Sequence, residues 1–466
     1  MKSYTATAYL ALAIAITHLA CVSEAFVLLR SLGVAPANMR YSCGRRSSSS
    51  RQAHRTNMSL KISSAEGGTT REGFGRQSLA SLLAGLAAAV NFESAGAASN
   101  KLQISNTGSG ARVNKDPISL LQWGLPIDCK PARQLQEAME ATKLDLFQKN
   151  WSRAASNCQR ARNVISKNKA QLLKAVGPKN EAQVTNVLAD MDKGIGSLEK
   201  IVQGAGAGVV LENAKVDEAN PVHAEIVSNV GKMEAMMVPP DYASKLEANI
   251  PSDFNSLPRL LGRATVEFLL EKPGGQKFDV NGVLYDKVRL TMVLDGYTAP
   301  VTAGTIVDLI QRGYYNNLPI TRSDGFVVQT GDPDPEGDVH DFFPEGSSEA
   351  RKIPLEIAVT EDKFPMYSVT TEDDGRGYAA TKLPFQAYGA LGMARSEFEA
   401  DSASCQFFWL LFDSDLTPAG KNLLDGRYAE FGYTINNADL LADVKEGDII
   451  KSAKILSGKE SWKASA

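Results

Sequence analysis

Between Pro131 and Pro240 apolar residues recur every three or four positions, and beyond residue 262 that rhythm disappears. The change divides the chain into a helical part and a β-rich part. Trp151, Ala154, Cys158, Ala161, Ile165, Leu172 and Val176 fall on one helix face, and Gly177-Pro178 interrupts the run. Val184, Val187, Met191, Ile195, Leu198 and Val202 form a second stripe that stops at Gly204-Ala-Gly206. Leu135, Met139, Leu146 and Phe147 predict an earlier helix. Ile226, Val230, Met233 and Met237 predict a later one, stopped by Pro239-Pro240. Four amphipathic segments with short breaks predict an antiparallel four-helix bundle. The stripes read as core. For Met233, Met236 and Met237 an adaptable binding surface is the alternative. The region has no Gly-rich phosphate loop and no carboxylate pair beside a histidine, so docking is its expected work.

Residues 241–261 show no long period and read as a linker that wraps back on the domains. Short β-rich runs follow at 264–270, 287–294, 326–329, 406–412 and 429–434, separated by turn signals such as Pro273-Gly-Gly275 and Asp425-Gly426. Residues 302–313 predict a helix with Val307, Leu309 and Ile310 turned inward, and a second helix is expected near 438–444. Many short strands with a helix at each end predict a closed antiparallel β-barrel with capping helices. The fold class is therefore an α+β multidomain chain.

The first 98 residues hold 10 of the 50 Lys/Arg and 4 of the 53 Asp/Glu, so the remainder is acidic. An acidic chain is a poor nucleic-acid binder. Residues 1–25 have a basic start (Lys2), an apolar run and the small-residue end Ser23-Glu-Ala25, as a secretory signal peptide does. Phe26 to Ser64 is rich in Arg and Ser without an acid, as in a transit peptide. Leu79 to Val90 is a second apolar run, too short to span a bilayer, ending in Ala95-Gly-Ala-Ala98. It reads as a second cleavable export signal, a buried Ala-rich helix being the alternative. The expected division is a tripartite targeting leader at 1–98 and a helical domain at 99–240. The linker at 241–261, a β domain at 262–458 and a tail at 459–466 follow.

Ile320-Thr-Arg-Ser-Asp-Gly-Phe-Val-Val-Gln-Thr-Gly-Asp332 carries an arginine, a phenylalanine and a glutamine in one short segment. It resembles the signature strand of the cyclophilins, a family of peptidyl-prolyl cis-trans isomerases. Ser404-Cys-Gln-Phe-Phe408 resembles the family's second pocket strand, and Leu424-Asp-Gly-Arg-Tyr-Ala-Glu-Phe-Gly432 its third pocket segment. Leu294-Asp-Gly-Tyr-Thr-Ala-Pro-Val-Thr-Ala303 resembles the first hairpin and helix start. An Xaa-Pro bond rotates over a barrier of about 18–20 kcal/mol, and a guanidinium that hydrogen-bonds the nitrogen's emerging lone pair favours the transition state. The resemblance implies that Arg322 is that group and that Gln329 orients it. It also implies that Phe326, Val327, Phe408 and Leu424 line the proline pocket and that Gln406 contacts the peptide backbone.

The segment departs from the family in four places. Ser-Asp-Gly between Arg322 and Phe326 is one residue shorter than usual, which is expected to displace Arg322. Arg395 stands in place of an asparagine and is expected to repel Arg322 and narrow the groove. Leu423 replaces a tryptophan of drug-sensitive members, implying weak cyclosporin binding, and Tyr428 replaces a histidine at the pocket edge. Gln122-Trp-Gly-Leu-Pro-Ile-Asp128 resembles the entry to the helical domain of the large two-domain thylakoid-lumen cyclophilins of plants and algae. That subgroup shares the altered cleft.

The resemblance implies a thylakoid-lumen protein that assists assembly and maintenance of photosystem II, with a proline cleft of weak or no isomerase activity. Its partners would be proline-containing segments and a lumenal loop of the chlorophyll-binding inner antenna protein, with at most peripheral membrane contact. The three-part leader resembles that of algae with a secondary plastid. The alternative is an active isomerase acting as a lumen foldase. No cofactor is expected. No metal site is expected either, since only His223 and His340 follow the leader, and the acidic loop at 333–385 lacks the spacing of a calcium hand. Cys129, Cys158 and Cys405 leave an odd thiol, with a Cys129 to Cys158 disulfide left open.

Overall fold

The computed structural model describes residues 114–204, 209–412 and 422–464. The leader assigned to residues 1–98 lies outside the described residues. Helix α1 (Pro117–Trp123) starts at Asp116, whose side chain accepts from the Ile118 N–H, with Pro117 in the first turn. Helix α2 (Lys130–Phe147) and helix α3 (Trp151–Gln203) follow, the latter capped by Asn150. Gly177 sits inside α3 at φ 71 and ψ 168, a conformation outside the helical region, so the Gly-Pro break is real although hydrogen bonding runs on either side. Helix α4 (Val209–Ala235) ends just before Pro239-Pro240.

The periodic stripes are the core of this helical region. Leu135, Met139, Cys158, Ile165, Met191, Leu198, Ile226 and Met233 form one buried cluster. Two positions depart from expectation: Leu188 is buried where Val187 is only partly so, and Phe147 is 75% exposed at the helix end. Cys129, Cys158 and Cys405 are all free and buried, and burial pushes the Cys158 thiol up to about 11.

The stretch expected as a linker is ordered. Helix α5 (Tyr242–Ala248) carries Tyr242 and Leu246 into a small cluster with Leu261. The Tyr242 hydroxyl donates to the Lys363 carbonyl at 3.1 Å, and Asn249 donates to that of Pro365 at 3.3 Å.

The β domain begins with β1 (Arg259–Leu260) and β2 (Arg263–Glu271), followed by a hairpin of β3 (Phe278–Val280) and β4 (Val283–Tyr285) and then β5 (Val288–Asp295). Helix α6 (Pro300–Gln311) leads to β6 (Ile320–Ser323) and β7 (Val327–Thr330). Strands β8 (Glu356–Ile357), β9 (Met366–Tyr367), β10 (Ala390–Met393), β11 (Phe407–Leu410), β12 (Glu430–Asn436), β13 (Ile449–Ser457) and β14 (Trp462–Lys463) complete it. The main sheet has eight antiparallel strands in the order β13-β2-β5-β12-β10-β11-β7-β6. Along β2 burial alternates, with Ala264, Val266, Phe268 and Leu270 facing the core.

The expectation of a closed barrel is corrected: the sheet is open between β13 and β6. Their ends meet at one isolated bridge, Pro319 with Ile449, because β6 is short and Thr321 interrupts its register. The helix expected near 438–444 is a 3-10 turn, Ala438–Asp443, entered through Asn437 in the left-handed region. Helix α6 is apolar on nearly every side and packs into the core. The Glu356 carboxylate accepts the N–H groups of Val301 and Thr302 at its start, a carboxylate at the positive end of the helix dipole.

The helical region is joined to the β domain through α1. Arg133 on α2 donates to the carbonyls of Gln122 (2.8 Å), Trp123 (3.3 Å) and Leu125 (2.9 Å), and pairs with the fully buried Glu234 at 3.4 Å. Arg263 on β2 donates to the Leu121 carbonyl and to Asp295, both at 2.5 Å. Leu120 and Leu121 enter an apolar cluster with Leu383, Phe385 and Tyr433 of the β domain. Gly124 allows the approach, since a Cβ there would lie 2.7 Å from Leu383 Cδ2.

Burial pushes the Glu234 carboxyl up to about 8 against the opposing pull of Arg133, and burial pushes that of Glu356 up to about 7 against its N–H donors. Between pH 6.5 and 8 the folded chain therefore binds more protons than the unfolded one, so stability falls as pH rises through this window. His223, whose pKa is lowered by burial, acts in the opposite direction only below about pH 6.5. The melting temperature is expected to be higher at pH 6.5 than at pH 8, and Glu234→Gln should shrink the difference. An equal or higher value at pH 8 in the wild type would exclude this account.

Candidate functional site

Strands β6, β7 and β11 and the segment before β12 bring the expected residues together. Strand alternation sends Phe407 and Trp409 into the main core of the β domain and turns Phe408 and Leu410 to the opposite face. There Phe408, Val327, Leu424 and Tyr428 belong to one apolar cluster. Phe408 is 5% exposed, stacks on Phe385 at 6.0 Å and meets Tyr428 edge-on at 5.9 Å. Gly392 lies under the ring, where a Cβ would approach Phe408 Cζ to 2.2 Å. Phe326 stacks on Phe412 at 5.8 Å and remains 60% exposed at the rim. Leu423 is 80% exposed.

Arg322 faces Gln329 across the β6–β7 hairpin. The hairpin is intact despite its shorter connection, which turns at Gly325 with φ 83 and closes with an Asp324 N–H to Val327 carbonyl bond of 3.3 Å. The amide of Gln329 does not go to Arg322. It donates to the Gln406 side-chain oxygen at 2.9 Å, and Gln406 in turn donates to the His340 carbonyl at 3.0 Å. The partner of Arg322 is Asp324, whose Oδ2 accepts from Nε at 2.7 Å and pairs with Nη2 at 2.5 Å.

Arg395 is expected to repel Arg322, but its guanidinium is engaged elsewhere. Nε and Nη2 donate to the Arg427 carbonyl at 2.9 and 2.7 Å, and Nη1 donates to those of Ser396 and Glu397. Its charge lies 5.1 Å from the centre of the Tyr428 ring, a cation–π contact.

The long acidic loop touches this site through His340, which also contacts the Asp332 carboxylate at 2.9 Å. Some of its other acids are engaged by bases: Asp341 by Lys352, Glu372 by Arg427, and Asp362 and Asp374 by Arg376. Among the described residues no cluster of His, Cys, Asp and Glu has the arrangement of a metal site. The arrangement is an apolar cluster on the sheet face that carries Phe408, with the exposed Arg322 guanidinium on the neighbouring hairpin.

Sequence reasoning missed Asp324, Phe385, Phe412 and His340 as members of this site. Asp324-Gly325 is a readable turn signal, but it says nothing of where the carboxylate goes. Phe385 and His340 arrive from the long loop, and no local pattern marks them.

A family model described as cyclophilin type peptidyl-prolyl cis-trans isomerase/CLD matches residues 280–458. A second, described as peptidyl-prolyl cis-trans isomerase CYP38-like, PsbQ-like domain, matches residues 116–238. The chain is 40% identical over 357 residues to the chloroplastic peptidyl-prolyl cis-trans isomerase CYP38 of Arabidopsis thaliana, covering 74% of this chain and 75% of that protein. It is 35% identical over 347 residues to a thylakoid lumen peptidyl-prolyl cis-trans isomerase of Synechocystis sp., covering 74% of this chain and 83% of that protein. With the open eight-stranded sheet and the helix packed into its core, these similarities identify the chain: it belongs to the cyclophilin-type peptidyl-prolyl cis-trans isomerase family and carries the PsbQ-like helical domain ahead of its cyclophilin domain.

Proposed function

We propose that this protein works in the thylakoid lumen, where it assists assembly and maintenance of photosystem II by binding lumenal segments of its subunits. A lumenal loop of the chlorophyll-binding inner antenna protein is the proposed partner. The proline cleft serves binding, with weak or no isomerase activity. The observation that carries this reading is the state of the cleft. Its apolar side chains cluster together, but Arg322, Gln329, Gln406 and Arg395 are each engaged by the chain's own groups. A cleft of this kind can hold a proline ring while offering little to the transition state.

The printed names of the chloroplast and thylakoid relatives support the location, as does the leader composition, which we read as that of an alga with a secondary plastid. We read the helical region as an antiparallel four-helix bundle, counting α3 as two helices about Gly177, and the limits as 99–240, 241–261 and 262–458. By this reading Arg322 and Gln329 stand at the catalytic positions. Phe326, Val327, Arg395, Gln406, Phe408, Leu424 and Tyr428 bind the proline segment.

The second reading, an active lumen foldase, is favoured by the exposed rim, where Phe326 is 60% open and the Arg322 side chain 56%. Complementation of a strain lacking the protein separates the two. Arg322→Ala in the full chain is expected to restore photosystem II accumulation as well as the wild type does. Failure of that variant, with normal protein levels, would favour the foldase.

A further inference from the structure

Asp324 lies two residues after Arg322, at the first position of the turn Asp324 to Val327. Its Oδ1 accepts the backbone N–H groups of Phe326 and Val327, each at 3.0 Å. Its Oδ2 receives the guanidinium of Arg322 through Nε and Nη2. The carboxylate is thus fixed by the turn on one side and bound to the arginine on the other.

We propose that Asp324 is an internal lock on Arg322: an anchored anion that holds the guanidinium in an ion pair and weakens its use as a donor to the nitrogen of an Xaa-Pro bond. The proposal rests on the reading of this cluster as a proline cleft, and it assigns the weak activity to one residue. Three observations support it. First, a negative charge in contact with the guanidinium offsets the field that would stabilise an emerging lone pair. Second, two turn N–H groups hold the carboxylate in place, so a substrate competes with a preorganised partner rather than a mobile one. Third, Gln329, which the family resemblance makes the orienting residue, donates to Gln406 instead.

The pair is partly exposed, with side-chain accessibilities of 56% and 35%, so solvent screens it and a modest effect is expected. Burial alone would raise the Asp324 carboxyl. The N–H groups of Val327 and Phe326 and the Arg322 guanidinium outweigh it and hold the group below the usual carboxylate range. The lock therefore stays charged from pH 5 to 8.

The test is Asp324→Asn in the full chain. Asparagine keeps an acceptor oxygen for the turn and removes the charge. Isomerase activity on an Xaa-Pro peptide is expected to rise about 2- to 5-fold, the scale of a solvent-screened ion pair. The gain should be level from pH 5 to 8 and absent when Arg322→Ala is added. An unchanged or lower rate, in a variant melting like the wild type, would overturn the lock and leave Asp324 as a turn residue only. Asp324→Ser, which caps the turn without charge, serves if the asparagine variant folds poorly. Titration with the same peptide separates the underlying reading. Binding without a gain in rate sinks the lock alone, whereas no binding to the wild type sinks the cleft and the lock together.

Discussion

Arg133→Ala should lower the stability of the chain by about 1–3 kcal/mol, the cost of leaving buried acceptors without their donor. Glu234 is fully buried, and its Oε2 already has no hydrogen-bond partner. The same change strips donors from the carbonyls of Gln122, Trp123 and Leu125, which end α1 and begin the next connection. Helix α1 carries Leu120 and Leu121 into the apolar cluster of the β domain, so its release should loosen the two regions from each other. Chemical denaturation measures the loss. Limited proteolysis between residues 114 and 130 should show the release, with the variant cut faster than the wild type. Arg133→Ala combined with Glu234→Gln should be no more stable than Arg133→Ala alone at pH 7, because the Glu234 carboxyl, pushed up to about 8, already carries its proton there. A loss below about 1 kcal/mol would place the pair among the weak surface contacts.

Phe408→Ala is the second large effect, because it joins stability to the cleft. Truncating a buried phenylalanine costs about 3–5 kcal/mol. Here the ring fills the space above Gly392, stacks on Phe385 and packs in one cluster with Val327, Leu424 and Tyr428, the proposed proline site. Binding of an Xaa-Pro peptide should fall by at least about tenfold, the loss of one apolar wall worth more than 1.4 kcal/mol. Phe147→Ala is the matched control. That ring is 75% exposed at the end of α2, and its loss should fall within about 0.5 kcal/mol and leave peptide binding unchanged. Equal peptide affinity in folded Phe408→Ala and wild type would move the binding site away from this cluster.

Much of this molecule was legible along the chain. Helix stripes and strand alternation depend on neighbours a few residues apart, so Cys158, Met191 and Met233 were readable as core before any coordinates. The same holds for the Gly177 break. The motif segments brought Arg322, Phe326, Gln329, Gln406 and Phe408 into one proposed cleft, and the strand register sets Gln329 between Arg322 and Phe408.

What the local pattern did not contain was the choice among partners. Gln329 meets Gln406 from 77 residues away, and Arg263 reaches the Leu121 carbonyl across 142. Each polar group has several chemically equivalent partners, and only distance in the folded chain selects one. For that reason Arg322 pairs with Asp324, and Arg395 turns to the Arg427 carbonyl rather than into the groove. The same holds for closure of the sheet, which depends on the length of β6 and on a register shift at its edge that no single strand pattern records. The sequence by itself determined most of the buried stripes of the helical region, because periodic burial is a local property. Only the tertiary structure decided which charges neutralise one another in the cleft, because hydrogen bonds and ion pairs act over a few ångströms of space and not along the chain.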